Sequence, residues 1–225
     1  MSLMRFYFTP GSCSTGIHIL LEELELVFAA HPVNLIRGEQ YSAEFLALNP
    51  KASVPVLVLA DGSVLSDFVA IAWWLAKSHP RAALLPDSPS AEAKMLELMN
   101  YIVNTIHGLG FTRIFTTEKY TTDAEEVARV VAQGRDIVER GLACIADEFA
   151  AGSLSVDGFS LVDAALFYVE FWSDRIGMVL PAICLQHYRA MLRRPAVRQV
   201  LMEEGYHATL ADHAQTAVEQ SHATA

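Results

Sequence analysis

Cysteine is scarce in this chain, and it occurs in no pattern that forms a disulfide framework or holds a metal. The three cysteines, Cys13, Cys144 and Cys184, are odd in number, widely spaced and free of any C-x-x-C pair. We therefore expect reduced thiols. The eight histidines include no H-x-x-x-H pair and no cluster with cysteine, so the sequence predicts no metal site.

Basic charge and long apolar runs are also lacking. The chain has 16 basic against 26 acidic residues, a net charge of -10, which disfavours nucleic acid and anionic membrane surfaces as partners. No apolar stretch reaches the eighteen or so residues that a membrane span needs. The first residues do not follow the pattern of a secretory signal. We therefore expect a cytoplasmic protein without membrane or nucleic-acid partners.

Two halves of the chain differ in hydrophobic period. From Arg5 to about His79, short β-type runs alternate with helical ones in the order βαβαββα, whereas only helical periodicity appears from Ser90 onward. Prolines cluster between the halves and predict a linker there. The predicted organisation is an α/β domain over 4–80, a linker over 81–89, an all-helical domain over 90–206, and a frayed or partly disordered polar tail over 207–225.

The helical half is expected to contain a long helix from about Ala91 to Arg113 and further helices that begin at Asp123 and Ser160. Each of the two later starts fits a capping box, in which the first side chain accepts from a backbone N–H three residues on and the second reaches back. The two pairs are Asp123 with Glu126 and Ser160 with Asp163. Pro195 suits the first turn of a later helix.

Cys13 lies in "FYFTPGSCST", between an apolar run and the start of a helix. At a helix N-terminus, unpaired N–H groups and the helix dipole favour the thiolate, so the sulfur could be reactive. The alternative is a small buried filler, a common role of free cysteine. Gly11 with Ser12 and Ser14 favours the functional interpretation, since small polar groups at a helix mouth suit an anion or a thiol. Because Gly16 stands where a resolving cysteine would lie, disulfide chemistry would need an external thiol.

Two further features leave alternatives open. Pro55 precedes a strand-like run; a cis bond would expose the backbone of Val54 for pairing with an extended peptide, whereas a trans proline in an edge strand is the commoner case. Asn100 and His107 are seven residues apart and share one face of an α-helix. Each alone fits a hydrogen-bonded core residue, and together they indicate a polar contact at a groove.

Taken together, these residues resemble the glutathione transferase family, and most closely its bacterial beta class. The resemblance covers nearly the whole chain in order and spacing, through "FYFTPGSCS", "EFLALNPKASVPVL", "DGSVLSDFVAIAWWLA", "MNYIVNTIH", "FSLVDAALF" and "RRPAVRQVLMEEG". It implies a thioredoxin-like N-terminal domain that binds glutathione as co-substrate, and an all-helical domain that supplies a hydrophobic pocket for an electrophile. It also implies a homodimer.

The resemblance assigns roles to particular residues. Cys13 and His107 become the catalytic candidates, with Cys13 against the glutathione sulfur, and Val54 pairs through its backbone with the cysteinyl portion. The family's cis-proline matches Pro55. The residues that the resemblance implies for glutathione binding are Cys13, Ser14, Val54, Pro55, Asp67, Phe68, Asn100 and His107.

Two aromatic residues depart from the family pattern. Phe8 stands where the class often has a tyrosine, and it cannot donate a hydrogen bond to sulfur. Phe68 replaces a small residue beside the γ-glutamyl end, where a bulky ring could reshape the pocket. The predicted function is conjugation of glutathione to small hydrophobic electrophiles. The alternatives are a glutathione-dependent thiol-disulfide reductase acting through Cys13 and a non-catalytic ligand-binding or partner-binding relative.

Overall fold

The computed structural model describes residues 3–155 and 158–210, so the predicted tail lies outside the described residues from 211 onward. The residues divide into two compact units, one of 3–67 with 188–210 and one of 68–187. Residues 207–210, the start of that predicted tail, are helical, and Leu210 is buried. Along 3–155 and 158–210 no helix combines the length and the apolarity needed to cross a membrane.

The first unit is built on a four-stranded mixed sheet with strand order β2-β1-β3-β4. β1 runs parallel to β2 and antiparallel to β3, and β4 returns beside β3 as a hairpin. Phe6 and Leu57 face each other across β1 and β3 and are fully buried, as apolar positions of a covered sheet should be. With helices between the strands and a further helix after β4 along the chain, the order βαβαββα and the thioredoxin-like fold are confirmed. The strands are β1 Met4–Phe8, β2 Phe28–Pro32, β3 Val56–Val58 and β4 Val64–Ser66.

Two helices of this unit are joined at both ends. α1 (Ser14–Glu23) contacts α9 (Pro195–Glu203), which begins with the predicted first-turn proline. Arg194, just before α9, donates two hydrogen bonds to the carboxylate of Glu23 at 2.6 and 2.9 Å. At the other end Glu204 binds the start of α1, so the two helices run antiparallel.

The short helix α2 (Ala43–Leu48) is capped by Ser42, whose hydroxyl accepts from the N–H of Phe45.

The second unit is all helical and is built around α7. Every residue of α7 from Leu161 to Ser173 is buried, which marks a helix enclosed on all sides. The predicted capping box of Ser160 and Asp163 is confirmed: Ser160 Oγ accepts from a backbone N–H, and Asp163 accepts from the Ser160 N–H at 2.6 Å. The helices are α3 Phe68–Ser78, α4 Pro89–Asn100, α5 Thr112–Phe115, α6 Val127–Ala150 and α7 Leu161–Arg175, and the unit ends within α8 Ala182–Arg193, of which residues 182–187 belong to it.

A buried ion-paired histidine connects α8 to α7. His187 contacts Glu170 at 2.8 Å and Asp163 at 3.0 Å through its two ring nitrogens. Burial acts to lower the pKa of His187, but the charge of Glu170 and the hydrogen bonds to both carboxylates outweigh it and raise the pKa to about 10. His187 is therefore an imidazolium at neutral pH. Asp163 thus serves two contacts, the cap of α7 and this ion pair.

The capping box predicted at Asp123 is wrong. α6 begins at Val127, four residues later, and no side chain caps it. The N–H of Glu125 donates to Asp123 at 2.9 Å within the turn that precedes the helix. The Glu126 carboxylate accepts from Arg129 at 2.8 Å and does not reach back to Asp123.

The predicted long helix is present, but its middle is a π-helix. Between α4 and α5 the backbone of Tyr101–Phe111 has the wider i→i+5 turn. This segment packs closely on α6, because a Cβ at Gly110 would lie 2.7 Å from Val138 Cγ2 and one at Gly134 would lie 2.8 Å from the Gly110 carbonyl oxygen. The glycines therefore permit a helix contact that larger residues would separate.

Candidate functional site

Cys13 occupies the position just before α1, at the end of a loop with many internal hydrogen bonds. The Thr9 N–H donates to Ser14 Oγ at 3.0 Å, and Thr9 Oγ1 donates to the Val33 carbonyl at 2.6 Å. Ser14 Oγ also lies 2.6 Å from Ser12 Oγ. The Ser14 side chain, fully buried, thus holds the loop together. The small polar residues that the sequence places around Cys13 fix the loop backbone.

The loop is also held by Glu204, whose carboxylate is buried. Its Oε2 accepts from the Gly11 N–H at 2.8 Å and from Thr15 Oγ1 at 2.7 Å, while Oε1 accepts from His18 Nδ1 at 2.9 Å. Gly11 has a φ of +71°, and a Cβ there would lie 1.9 Å from the Tyr206 hydroxyl. Only glycine therefore fits between the loop and the segment after α9.

The Cys13 thiol points at the backbone of Val54. Its Sγ donates a weak hydrogen bond to the Val54 carbonyl oxygen at 3.6 Å. The Val54–Pro55 peptide bond is cis, as the resemblance implied. Among residues 3–155 and 158–210, the Val54 N–H has no acceptor. One backbone donor is thus left for an extended ligand beside the thiol.

Cys13 keeps its proton at neutral pH, which disfavours the thiolate among the two alternatives that the sequence left open. Burial raises the pKa of Cys13 to about 12, and the charge of Asp67 adds to the rise, while the N–H groups of Cys13 and Ser14 act against it. The favourable effect of the helix start is present but smaller than the desolvation cost. The side chain is only 9% exposed.

Asp67 follows β4 directly and has the left-handed backbone conformation, with φ of +74°. Such a conformation is uncommon in a non-glycine residue and costs about 1–3 kcal/mol, so the surroundings must enforce it. The carboxylate is exposed and forms an ion pair with Lys51. The predicted site residues of the first unit therefore offer three functional groups to a ligand. They are the Cys13 thiol, the Val54 N–H without an acceptor among the described residues, and the exposed carboxylate of Asp67. Ser14 and Pro55 are the other two predicted residues in this unit.

In the second unit, Phe68 and His107 both contact Tyr168. The Phe68 ring is buried and lies 5.4 Å from the Tyr168 ring. His107 Nδ1 lies 3.2 Å from the Tyr168 hydroxyl, and its ring meets Trp172 edge to face at 4.9 Å. Burial, and then the charge of Lys119, lower the pKa of His107 to about 4. His107 is therefore neutral at pH 7.

Asn100 does not share the surroundings of His107. It is exposed, and its Oδ1 accepts from Asn104 Nδ2 at 3.3 Å. The predicted common face assumed α-helical spacing, in which seven residues make two turns. The π-helix over Tyr101–Phe111 has fewer turns over the same length, so this assumption is wrong.

The comparisons with known proteins agree with this fold. The family described as Glutathione S-transferase, N-terminal domain, matches residues 11–78. Glutathione S-transferase GstA of Escherichia coli O157:H7 is 33% identical over 208 residues, which cover 90% of this chain and 99% of that protein. A probable maleylacetoacetate isomerase of Vibrio cholerae serotype O1 is 30% identical over 214 residues, which cover 90% and 97%.

Solved structures give the same result. A glutathione transferase homologue from Sulfitobacter with bound glutathione superposes with a TM-score of 0.80 at 28% identity, covering 90% of this chain and 99% of that one. The bacterial beta class transferase of Sphingomonas chungbukensis gives 0.75 at 25% identity, with coverage of 90% and 99%. The chain belongs to the glutathione S-transferase family. Within that family its similarity extends to the bacterial beta class.

Sequence reasoning missed Glu204 and Tyr168. One signal for Glu204 was available: Glu203 and Glu204 stand at the C-terminal end of α9, where the helix dipole disfavours negative charge. Acidic residues at that end indicate a compensating donor elsewhere. Tyr168 gave no signal, because it is one of several aromatic residues of α7.

We predict that Glu204→Ala lowers the free energy of unfolding by about 3 kcal/mol or more, because three buried donors lose their acceptor. Urea denaturation at pH 7 measures this difference. Glu203→Ala is the matched control; its side chain is 49% exposed, and we expect a loss below about 1 kcal/mol. Equal losses for the two variants would show that Glu204 does not hold the loop.

We predict that His107 makes the protein sensitive to mild acid. Because its pKa is lowered to about 4, the unfolded chain binds more protons between that pH and about 6.5, and stability falls as the pH drops through this window. Between pH 7 and pH 5 the wild type should lose about 2 kcal/mol more than His107→Gln. Denaturation at both pH values tests this, and identical losses in the two proteins would contradict it.

Proposed function

We propose that this protein binds glutathione and conjugates its sulfur to a small hydrophobic electrophile. The observation that carries the proposal is the Cys13 thiol directed at the Val54 carbonyl oxygen, beside the Val54 N–H that has no acceptor among the described residues. The family membership and the glutathione bound to the Sulfitobacter homologue support it.

The backbone of Val54 supplies the docking element. An extended peptide can pair with it as an added strand, accepting from the N–H and donating to the carbonyl. The exposed carboxylate of Asp67 suits an ammonium group such as that of the γ-glutamyl end, and Lys51 beside it offers a charge for a carboxylate. These contacts would fix the tripeptide with its sulfur at Cys13.

Cys13 acts in this proposal as a hydrogen-bond donor and not as a nucleophile. Because its pKa is about 12, it keeps its proton at neutral pH and can donate the S–H to a bound glutathione thiolate. Glutathione loses its thiol proton to solvent, and its sulfur forms a bond to the electrophilic carbon as the leaving group departs with its electron pair. A preorganised donor of this kind stabilises the charged sulfur before it attacks.

Two other reactions compete with conjugation. A reductase would need Cys13 to attack a disulfide as thiolate, and the raised pKa disfavours that. An isomerase is the second candidate, because the Vibrio cholerae relative is named as a probable maleylacetoacetate isomerase. The resemblance also assigns Asn100 and His107 to the same tripeptide and implies a homodimer, and the sequence pattern predicts a cytoplasmic location. All of these are parts of the proposal.

We predict that wild-type protein binds glutathione in calorimetry and conjugates it to a chloronitroaromatic. Cys13→Ala should lower kcat/KM about 100-fold, because the S–H donor that stabilises the glutathione thiolate is removed, while binding of glutathione as the neutral thiol changes little. Cys144→Ala is the control, since that thiol is exposed and lies outside the proposed site. His107→Ala and Asn100→Ala, measured alongside, test the assignments from the resemblance.

Each alternative has its own outcome. Maleylacetoacetate turnover without conjugation would establish the isomerase. A glutathione adduct on Cys13 in mass spectrometry, formed during turnover of a disulfide substrate, would establish the reductase. No heat of binding at all would leave only a carrier or partner-binding role and would contradict the proposal.

A further inference from the structure

A cluster of metal-ligating side chains lies between α1 and α9, apart from the Cys13 thiol. His18 and Glu22 are four residues apart on α1 and share a face, and Glu203 is the last residue of α9. One ligand atom from each lies within 4.8 Å of the other two. Three groups that can each give an electron pair therefore converge from two helices.

The buried nitrogen of His18 is the observation that points to a ligand. His18 is 1% exposed, and its Nε2 has no hydrogen-bond partner among the described residues. Glu203 Oε2 lies 3.3 Å from that nitrogen but outside hydrogen-bond geometry. A buried polar nitrogen without a partner is costly, so a group that satisfies it is expected.

The second ring nitrogen of His18, Nδ1, determines whether Nε2 can bind a ligand. Its Nδ1 lies 2.9 Å from Glu204 Oε1, and in the tautomer that donates its proton to this carboxylate the lone pair lies on Nε2. A carboxylate behind a ligating histidine is the usual support of a metal-bound imidazole, since it sets the tautomer and the ring orientation. Glu204 in turn is held by Gly11 and Thr15, so the ring cannot easily rotate.

The charges and spacing also favour a cation. Glu22 and Glu203 repel each other, and Glu203 stands at the negative end of the α9 dipole, where a cation is stabilised. Ligands at about 2.0–2.1 Å from a tetrahedral ion lie roughly 3.3 Å apart. The Nε2 to Oε2 distance of 3.3 Å matches that spacing. Because the Glu203 side chain is half-exposed, the cluster borders solvent.

We propose that His18 Nε2, Glu22 and Glu203 form a binding site for one divalent cation of the zinc type at the junction of α1 and α9. Nitrogen and carboxylate ligands suit Zn²⁺, and three protein ligands leave a fourth position for water. The ion would link the two helices at the end where Glu204 holds the Cys13 loop. This site is independent of glutathione binding.

The test is zinc calorimetry on chelator-treated, untagged full-length protein in the Cys144→Ser background, which removes the exposed thiol. We expect one Zn²⁺ per chain, an affinity at least ten-fold lower in both Glu203→Gln and Glu22→Gln, and a rise in unfolding temperature with Zn²⁺ that is smaller in both variants than in the parent. Glu139→Gln is the control, since Glu139 is an exposed glutamate of α6.

The decisive variant is Glu203→Gln, because its half-exposed side chain can change without disturbing the core. Circular dichroism confirms that each variant is folded. No zinc heat in the parent would overturn the proposal. Zinc binding that both glutamine variants retain at full affinity would also overturn it, since that result describes an adventitious ion on another surface.

Discussion

The buried carboxylate of Glu204 is the contact on which the geometry around Cys13 depends. It joins residues that lie up to 193 positions apart in sequence, because the segment after α9 returns to the first loop. One oxygen accepts from Gly11 and Thr15, and the other accepts from His18. Through these bonds the end of α9 determines where the loop turns into α1, and thus where the Cys13 sulfur lies.

Burial and the helix dipole act in opposite directions on Cys13, and burial has the larger effect. A helix start stabilises negative charge by up to about 2 kcal/mol, whereas desolvation of a fully buried group shifts a pKa by several units. The result is a neutral thiol close to a backbone carbonyl. Such a group donates a hydrogen bond well and attacks poorly, which is why conjugation by a bound glutathione sulfur fits this site better than chemistry on Cys13 itself.

Local signals in the sequence predicted a large part of the fold. The helix start after Cys13, the cap at Ser160 and the first-turn Pro195 each depend on residues a few positions apart, so single-sequence reasoning reaches them. The cis bond at Pro55 followed from the family resemblance and not from the residues, since base rates alone favour trans.

The features that the sequence alone did not predict depend on contacts between residues that are far apart in the sequence. The π-helix over Tyr101–Phe111 packs on α6, with Gly110 against Gly134, and no local pattern predicted it. The pKa of Cys13 is set by its burial, which only the folded structure reveals. The pair Asp123 and Glu126 fitted a helix cap in the sequence, but the Asp123 carboxylate accepts from the N–H of Glu125 in a turn before α6. Glu204 was visible only as an unfavourable charge at a helix end.

The protonation state of Cys13 is the most direct test of this view of the site. Protein labelled with ¹³C at cysteine Cβ, with the Cys13 signal assigned from Cys13→Ser, can be titrated by NMR. A signal of the neutral thiol that does not change up to pH 9 is the predicted result, because burial raises the pKa of Cys13 to about 12. A midpoint below about 8.5, the ordinary value for cysteine, would contradict it.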